Sequence, residues 1–97
     1  MPLLGGWSIN QNIPKGEIDP ELQKVFKAAT EKYVGGKFEA TEFLGSQVVN
    51  GINYKFLGYI GAAGTLVQAP RQIVTIEIHA GTDGEVKVTK VKNVFDL

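Results

Sequence analysis

The chain has no cysteine, a single histidine and no excess charge of either sign. Without cysteine there are no disulfides, no thiolate metal ligands and no cysteine nucleophile. Lys+Arg and Asp+Glu number 10 each, so the electrostatic drive of a typical nucleic-acid binder is missing. His79 stands alone, and no serine sits in a Gly-x-Ser-x-Gly elbow. An enzyme is therefore not expected, and neither is a cofactor. No apolar run approaches the roughly 20 residues that cross a bilayer. Met1 is followed by neither a charged n-region nor a long apolar h-region, so a secretory leader is not expected. A core held without disulfides fits a reducing compartment, and the cytoplasm is the expected location.

What is present is enough for one modest core. The 97 residues, 43% of them apolar, predict one globular domain over 1–97. Residues 1–16 hold two prolines and three glycines and show no period, which predicts an extended segment with a mobile trunk at 1–7. Within it, Leu3-Leu4-Gly5-Gly6-Trp7 is apolar for a chain end. Trp7 either tucks against a sheet or docks on a partner, and the sequence weighs the two evenly. For Leu3 and Leu4 docking is favoured, with Gly5-Gly6 letting backbone approach backbone.

One helix is predicted. Asp19 is a good N-cap and Pro20 a good first helical residue. Leu22, Val25, Phe26, Ala29 and Tyr33 recur at steps of three and four, forming an apolar stripe. Glu21, Lys24, Lys27, Glu31 and Lys32 cover the opposite side. Gly35-Gly36 is the expected stop, giving roughly fifteen residues and a rod of about 22 Å. Such a helix needs a surface to lie on.

Alternating strands supply it. Phe38 to Phe43 reads as one strand, with Phe38, Ala40 and Glu42 facing away from Glu39, Thr41 and Phe43. The alternation breaks around Leu44-Gly45-Ser46, as at a β-bulge. Ile52, Tyr54, Phe56, Gly58 and Ile60 share one face of the next strand. Pro70 weakens the start of a third or places it at an edge. There Val74, Ile76, Ile78 and Ala80 alternate with Thr75, Glu77 and His79. Gly81-Thr82-Asp83-Gly84 is a turn by composition. Val86 and Val88 restart the pattern, and Lys90-Val91 shifts its phase, consistent with a second bulge. The fold class is α+β: one amphipathic helix across an antiparallel sheet of four to five strands.

Gln47-Val48-Val49-Asn50-Gly51 reads as a hairpin tip. Asn50-Gly51 suits a two-residue turn with positive φ at both positions. Adjacent β-branched residues on a strand point to opposite faces, so at least one of Val48 and Val49 should face solvent, ready to be covered by a partner. In a meander, alternate connections lie at the same end. The 47–51 and 81–84 turns, together with the glycines leading a strand drawn from about Ser8 to Ile13, then make one convex ridge. A ridge suits insertion into a groove, whereas small-molecule sites are concave.

The order of a glycine pair, a helix, Gln47-Val48-Val49-Asn50-Gly51 and the strand-opening Asn53-Tyr54 resembles the cystatins, inhibitors of papain-like cysteine proteases. Small size, no cysteine and no leader make the chain most similar to the stefin branch. The resemblance implies reversible, competitive inhibition by occlusion of a cathepsin-type active-site cleft. It further implies a protease-binding set of Leu4 with Gly5 or Gly6, Gln47 to Gly51, and Gly81 to Gly84. The family's second hairpin usually offers Pro-Trp or Leu-Pro. His79-Ala80-Gly81-Thr82-Asp83-Gly84 stands there in this chain, implying a weaker or differently made contact. The strand before the first hairpin is one residue longer at Gly45-Ser46 than in a typical stefin. A non-inhibitory binding scaffold of the same fold is the alternative.

Other features have plain readings. His79 reads as a solvated residue at the rim of this edge. Glu17, Asp19 and Glu21 suit a helix N-terminus, with a metal site remote. Lys87, Lys90 and Lys92 read as a solvated face that blunts an edge. Glycines 61, 64, 81 and 84 precede no helix and form no phosphate loop. The β-branched pair at a tight turn is a strained hinge, so the active form is expected to be monomeric, with a domain-swapped dimer available through that hinge.

Overall fold

Asp19 sets the start of the helix. In the computed structural model, which describes residues 6–10, 18–33, 37–61 and 72–95, its carboxylate accepts a hydrogen bond from the Glu21 amide at 2.9 Å. That satisfies one of the helix's unpaired N–H groups. Helix α1 (Pro20–Thr30) follows. It buries Phe26 and Ala29, with Leu22 and Val25 packed beside them, and exposes Glu21, Lys24 and Lys27.

The helix stops at Thr30, four residues short of the expected end. The Thr30 hydroxyl donates back to the Phe26 carbonyl at 2.8 Å. The Lys32 and Tyr33 amides then reach carbonyls three residues back, at Ala29 and Thr30. This tightened last turn frees Tyr33 from the helical stripe. Its ring packs edge-on to Phe38 at 4.9 Å instead. Gly35 and Gly36 lie outside the described residues.

Among the described residues the sheet has five antiparallel strands in sequence order: β1 (Trp7–Ile9), β2 (Lys37–Val49), β3 (Gly51–Gly61), β4 (Gln72–Ala80) and β5 (Val86–Asn93). The helix packs on one face, as the α+β reading requires. Phe56 at the centre is fully buried, edge-on to Phe26 at 5.0 Å and tilted against Phe43 at 5.5 Å. Val74, Ile76 and Ile78 complete the core from β4, the face expected from their alternation.

Among the described residues, three bulges shape the sheet. Between Ala40↔Gly58 and Glu42↔Leu57 the register shifts by one, and it shifts again before Gly45↔Lys55. Thr41 and Leu44 are the extra residues. The bulge at Leu44 is where the sequence places it, whereas the one at Thr41 corrects the expected faces. It reverses the alternation, so Phe43 joins Phe38 and Ala40 on the helix side. β2 thus runs unbroken from Lys37 to Val49, well beyond the expected Phe43. The third bulge, at Thr89, restores Val91 to the core side. Each bulge threonine bonds across to its partner strand, Thr41 to the Leu57 carbonyl at 3.1 Å and Thr89 to that of Glu77 at 3.2 Å.

β1 starts at Trp7, inside the trunk expected to be mobile, and ends at Ile9 rather than near Ile13. Asn10 ties it down past its end, with its amide on the Leu44 carbonyl at 2.9 Å and its side chain on that of Phe43 at 2.8 Å. Pro70 lies outside the described residues, and β4, which opens at Gln72, is an interior strand rather than an edge.

Candidate functional site

Register decides what meets at the sheet's end. Trp7 is opposite Gln47, Ile52 is opposite Ala80, and Ala80 is opposite Val86. Gly6, the β2–β3 tip and the β4–β5 loop therefore lie at one end, as the meander reading expects. Leu3, Leu4 and Gly5 lie outside the described residues.

The first tip differs from the expected two-residue turn. Val48 pairs with Ile52 and Val49 with Gly51, leaving Asn50 alone between the strands; counted from the Val48–Ile52 pair, the loop is the three residues Val49-Asn50-Gly51. Gly51 carries the positive φ, at 104°, as glycine does at the end of three-residue hairpin loops. Two cross-strand rows end here. On the helix side Val48, Ile52, Ala80 and Val86 lie in line. Val48 is the outermost described member of this row and 44% exposed. Val49 points to the opposite face and is half-buried. The valine pair is thus split as expected, with Val48 the one facing solvent.

The row on the opposite face is polar: Gln47, Asn53, His79 and Lys87, with Trp7 at its outer end. The Asn53 side-chain amide donates to Gln47 Oε1 at 2.8 Å, and His79 Nδ1 lies 2.7 Å from Asn53 Oδ1. A carbonyl oxygen only accepts, so Nδ1 carries the proton. Half-buried and bonded, His79 is not the solvated rim residue the sequence suggests. The Lys55 ammonium sits over the Trp7 ring, 5.6 Å from its centroid, on this same face. Trp7 therefore lies on the sheet while remaining partly exposed.

The second loop is held by its own backbone. The Gly81 amide bonds the Glu85 carbonyl at 2.8 Å, the Gly84 amide bonds that of Gly81 at 3.1 Å, and Asp83 Oδ1 accepts from the Glu85 amide at 3.0 Å. Gly84 takes φ 87°. Thr82, Asp83 and Gly84 stand exposed. A shallow polar depression at the tips is lined by Asn50 of the first and by His79, Thr82, Asp83 and Lys87.

Sequence reasoning passed over Asn53 and His79 as site residues. The signal that finds them is symmetry about a three-residue connection, which sets Gln47 against Asn53. Among the described residues, no group of three or more His, Asp or Glu could hold a metal ion, and no helix is long and apolar enough to cross a membrane. Comparison of the chain with protein-family models, curated proteins and solved structures finds no match.

Proposed function

We propose that this chain is a reversible, competitive protein inhibitor of papain-like, cathepsin-type cysteine proteases. The observation that carries the reading is the exposed Val48 at a tip braced against a second loop. Such a paired tip is a preordered wedge that loses little entropy on docking. A papain-like cleft has apolar walls around a thiolate–imidazolium pair. Val48 is 44% exposed and Val49 half-buried, so each can add only part of the roughly 1.5–3 kcal/mol that fully burying an exposed valine contributes. Protease–inhibitor interfaces of about 1,600 Å² are among the tightest known. No peptide bond need be offered to the nucleophile in cleavable geometry, so inhibition is by occlusion.

In this reading Gln47 to Gly51 fill the cleft, Gly81 to Gly84 flank them, and Leu4 with Gly5 or Gly6 approaches along the third segment. The second loop presents Thr82 and Asp83 in place of an apolar pair, so the first tip carries most of the affinity. The monomer is the active form and the cytoplasm its place of action. Calorimetric titration of papain, with its active-site thiol alkylated by a bulky group and then free, tests the reading. Binding to the free enzyme that the alkyl group blocks supports cleft occupation. Equal binding to both forms assigns the chain to a scaffold that docks elsewhere.

A further inference from the structure

The polar row behind the first tip joins two hairpins that the backbone alone connects only through the β3–β4 ladder. His79 is the penultimate residue of β4, which ends at Ala80, and the second loop begins at Gly81. Its ring reaches sideways to the first hairpin in two ways. Nδ1 donates to Asn53 Oδ1 at 2.7 Å, and Asn53 in turn donates to Gln47, the residue that opens the tip. The ring edge also lies against Gly51, where an added Cβ would stand 3.2 Å from His79 Cε1. The half-buried imidazole therefore sits between the two tips, bonded to the strand under one and covalently continuous with the other.

We infer that His79 is a positioning residue of the binding edge proposed above, on which the inference rests. It fixes the spacing between the 47–51 tip and the 81–84 loop, so that both enter a cleft as one body. The chemistry is specific. Asn53 places one amide N–H on Gln47 Oε1 and turns its carbonyl oxygen toward His79 on β4. The residue at 79 must donate, and donate from the Nδ1 position. A partly buried carbonyl left without its donor is costly, and the tips would relax to find water.

The test uses the full chain and three readouts. First, nitrogen NMR of the imidazole should show the neutral ring protonated at Nδ1; a ring protonated at Nε2 overturns the inference. Second, His79→Phe keeps a ring and removes the donor, while His79→Asn places an amide N–H near the Nδ1 position. Hydrogen exchange of the 49–52 and 81–84 amides should quicken in His79→Phe and return toward native rates in His79→Asn. Unchanged exchange in His79→Phe overturns the inference. Third, papain affinity should fall about tenfold in His79→Phe, mainly through faster dissociation, and recover to within about threefold in His79→Asn. Equal loss in both variants marks a merely structural role and overturns the inference. If the unmodified chain does not inhibit papain, the proposed function fails, while the tautomer and exchange measurements still decide the coupling of the tips.

Discussion

Gly51 stands directly against the Ala80 carbonyl. A Cβ built on it would press into that oxygen and come within 3.1 Å of the Gly81 Cα. With φ at 104°, the position excludes side chains twice over, by backbone conformation and by space. The Gly51 backbone can lie against Ala80 and Gly81 because no side chain projects from position 51.

Gly51→Ala is therefore expected to destabilise the fold by about 2 kcal/mol or more, combining positive-φ strain with a backbone clash. Urea denaturation measures it. A loss of less than about 0.5 kcal/mol, the range of ordinary surface substitutions, would mean the tips are not in contact.

Phe56→Ala removes the ring on which Phe26 and Phe43 both pack. The expected cost is about 3–5 kcal/mol, the range for aromatic truncation in a core. For a domain this small that is a large part of total stability, so thermal unfolding should show a drop in Tm of tens of degrees. A small shift would place the core elsewhere.

Val48→Asp separates fold from function. The side chain is 44% exposed at a tip, so stability should change by no more than about 0.5 kcal/mol. A carboxylate carried into an apolar cleft has no partner there, and protease binding should be lost. Retained binding, with folding verified by circular dichroism, would remove Val48 from the interface.

Opening the tip as a hinge would let two chains exchange β1, α1 and β2. Mild heating followed by size-exclusion chromatography should yield some dimer, and that dimer should not inhibit, because its 47–51 tip is straightened. Only monomer after heating, or an inhibitory dimer, would contradict the hinge reading.

The helix start, the faces of β3 and β4 and the shared end of the tips follow from local patterns. Asp19-Pro20 caps, and Val74, Ile76 and Ile78 alternate without interruption. The misreadings come from single-residue shifts, which local patterns do not reveal. Thr41 bulges out of β2 and moves Phe43 to the core side. Thr30 folds its hydroxyl back and ends the helix while the apolar stripe still continues to Tyr33. Asn50-Gly51 invites a two-residue turn, which would set Gln47 against Tyr54. The observed connection is one residue longer and sets Gln47 against Asn53. That slip alone hides the polar row, since a one-residue change in register exchanges every facing pair. The Gly51 of this turn lies against Ala80 and Gly81, far away in sequence, a contact that local patterns do not reveal.

Steady-state inhibition of papain by the purified monomer, at several substrate concentrations, tests the central claim most directly. The account predicts competitive inhibition at nanomolar protein, with the maximal rate restored by excess substrate. No inhibition at micromolar protein, with folding verified, would contradict it and leave a binding scaffold of the same fold.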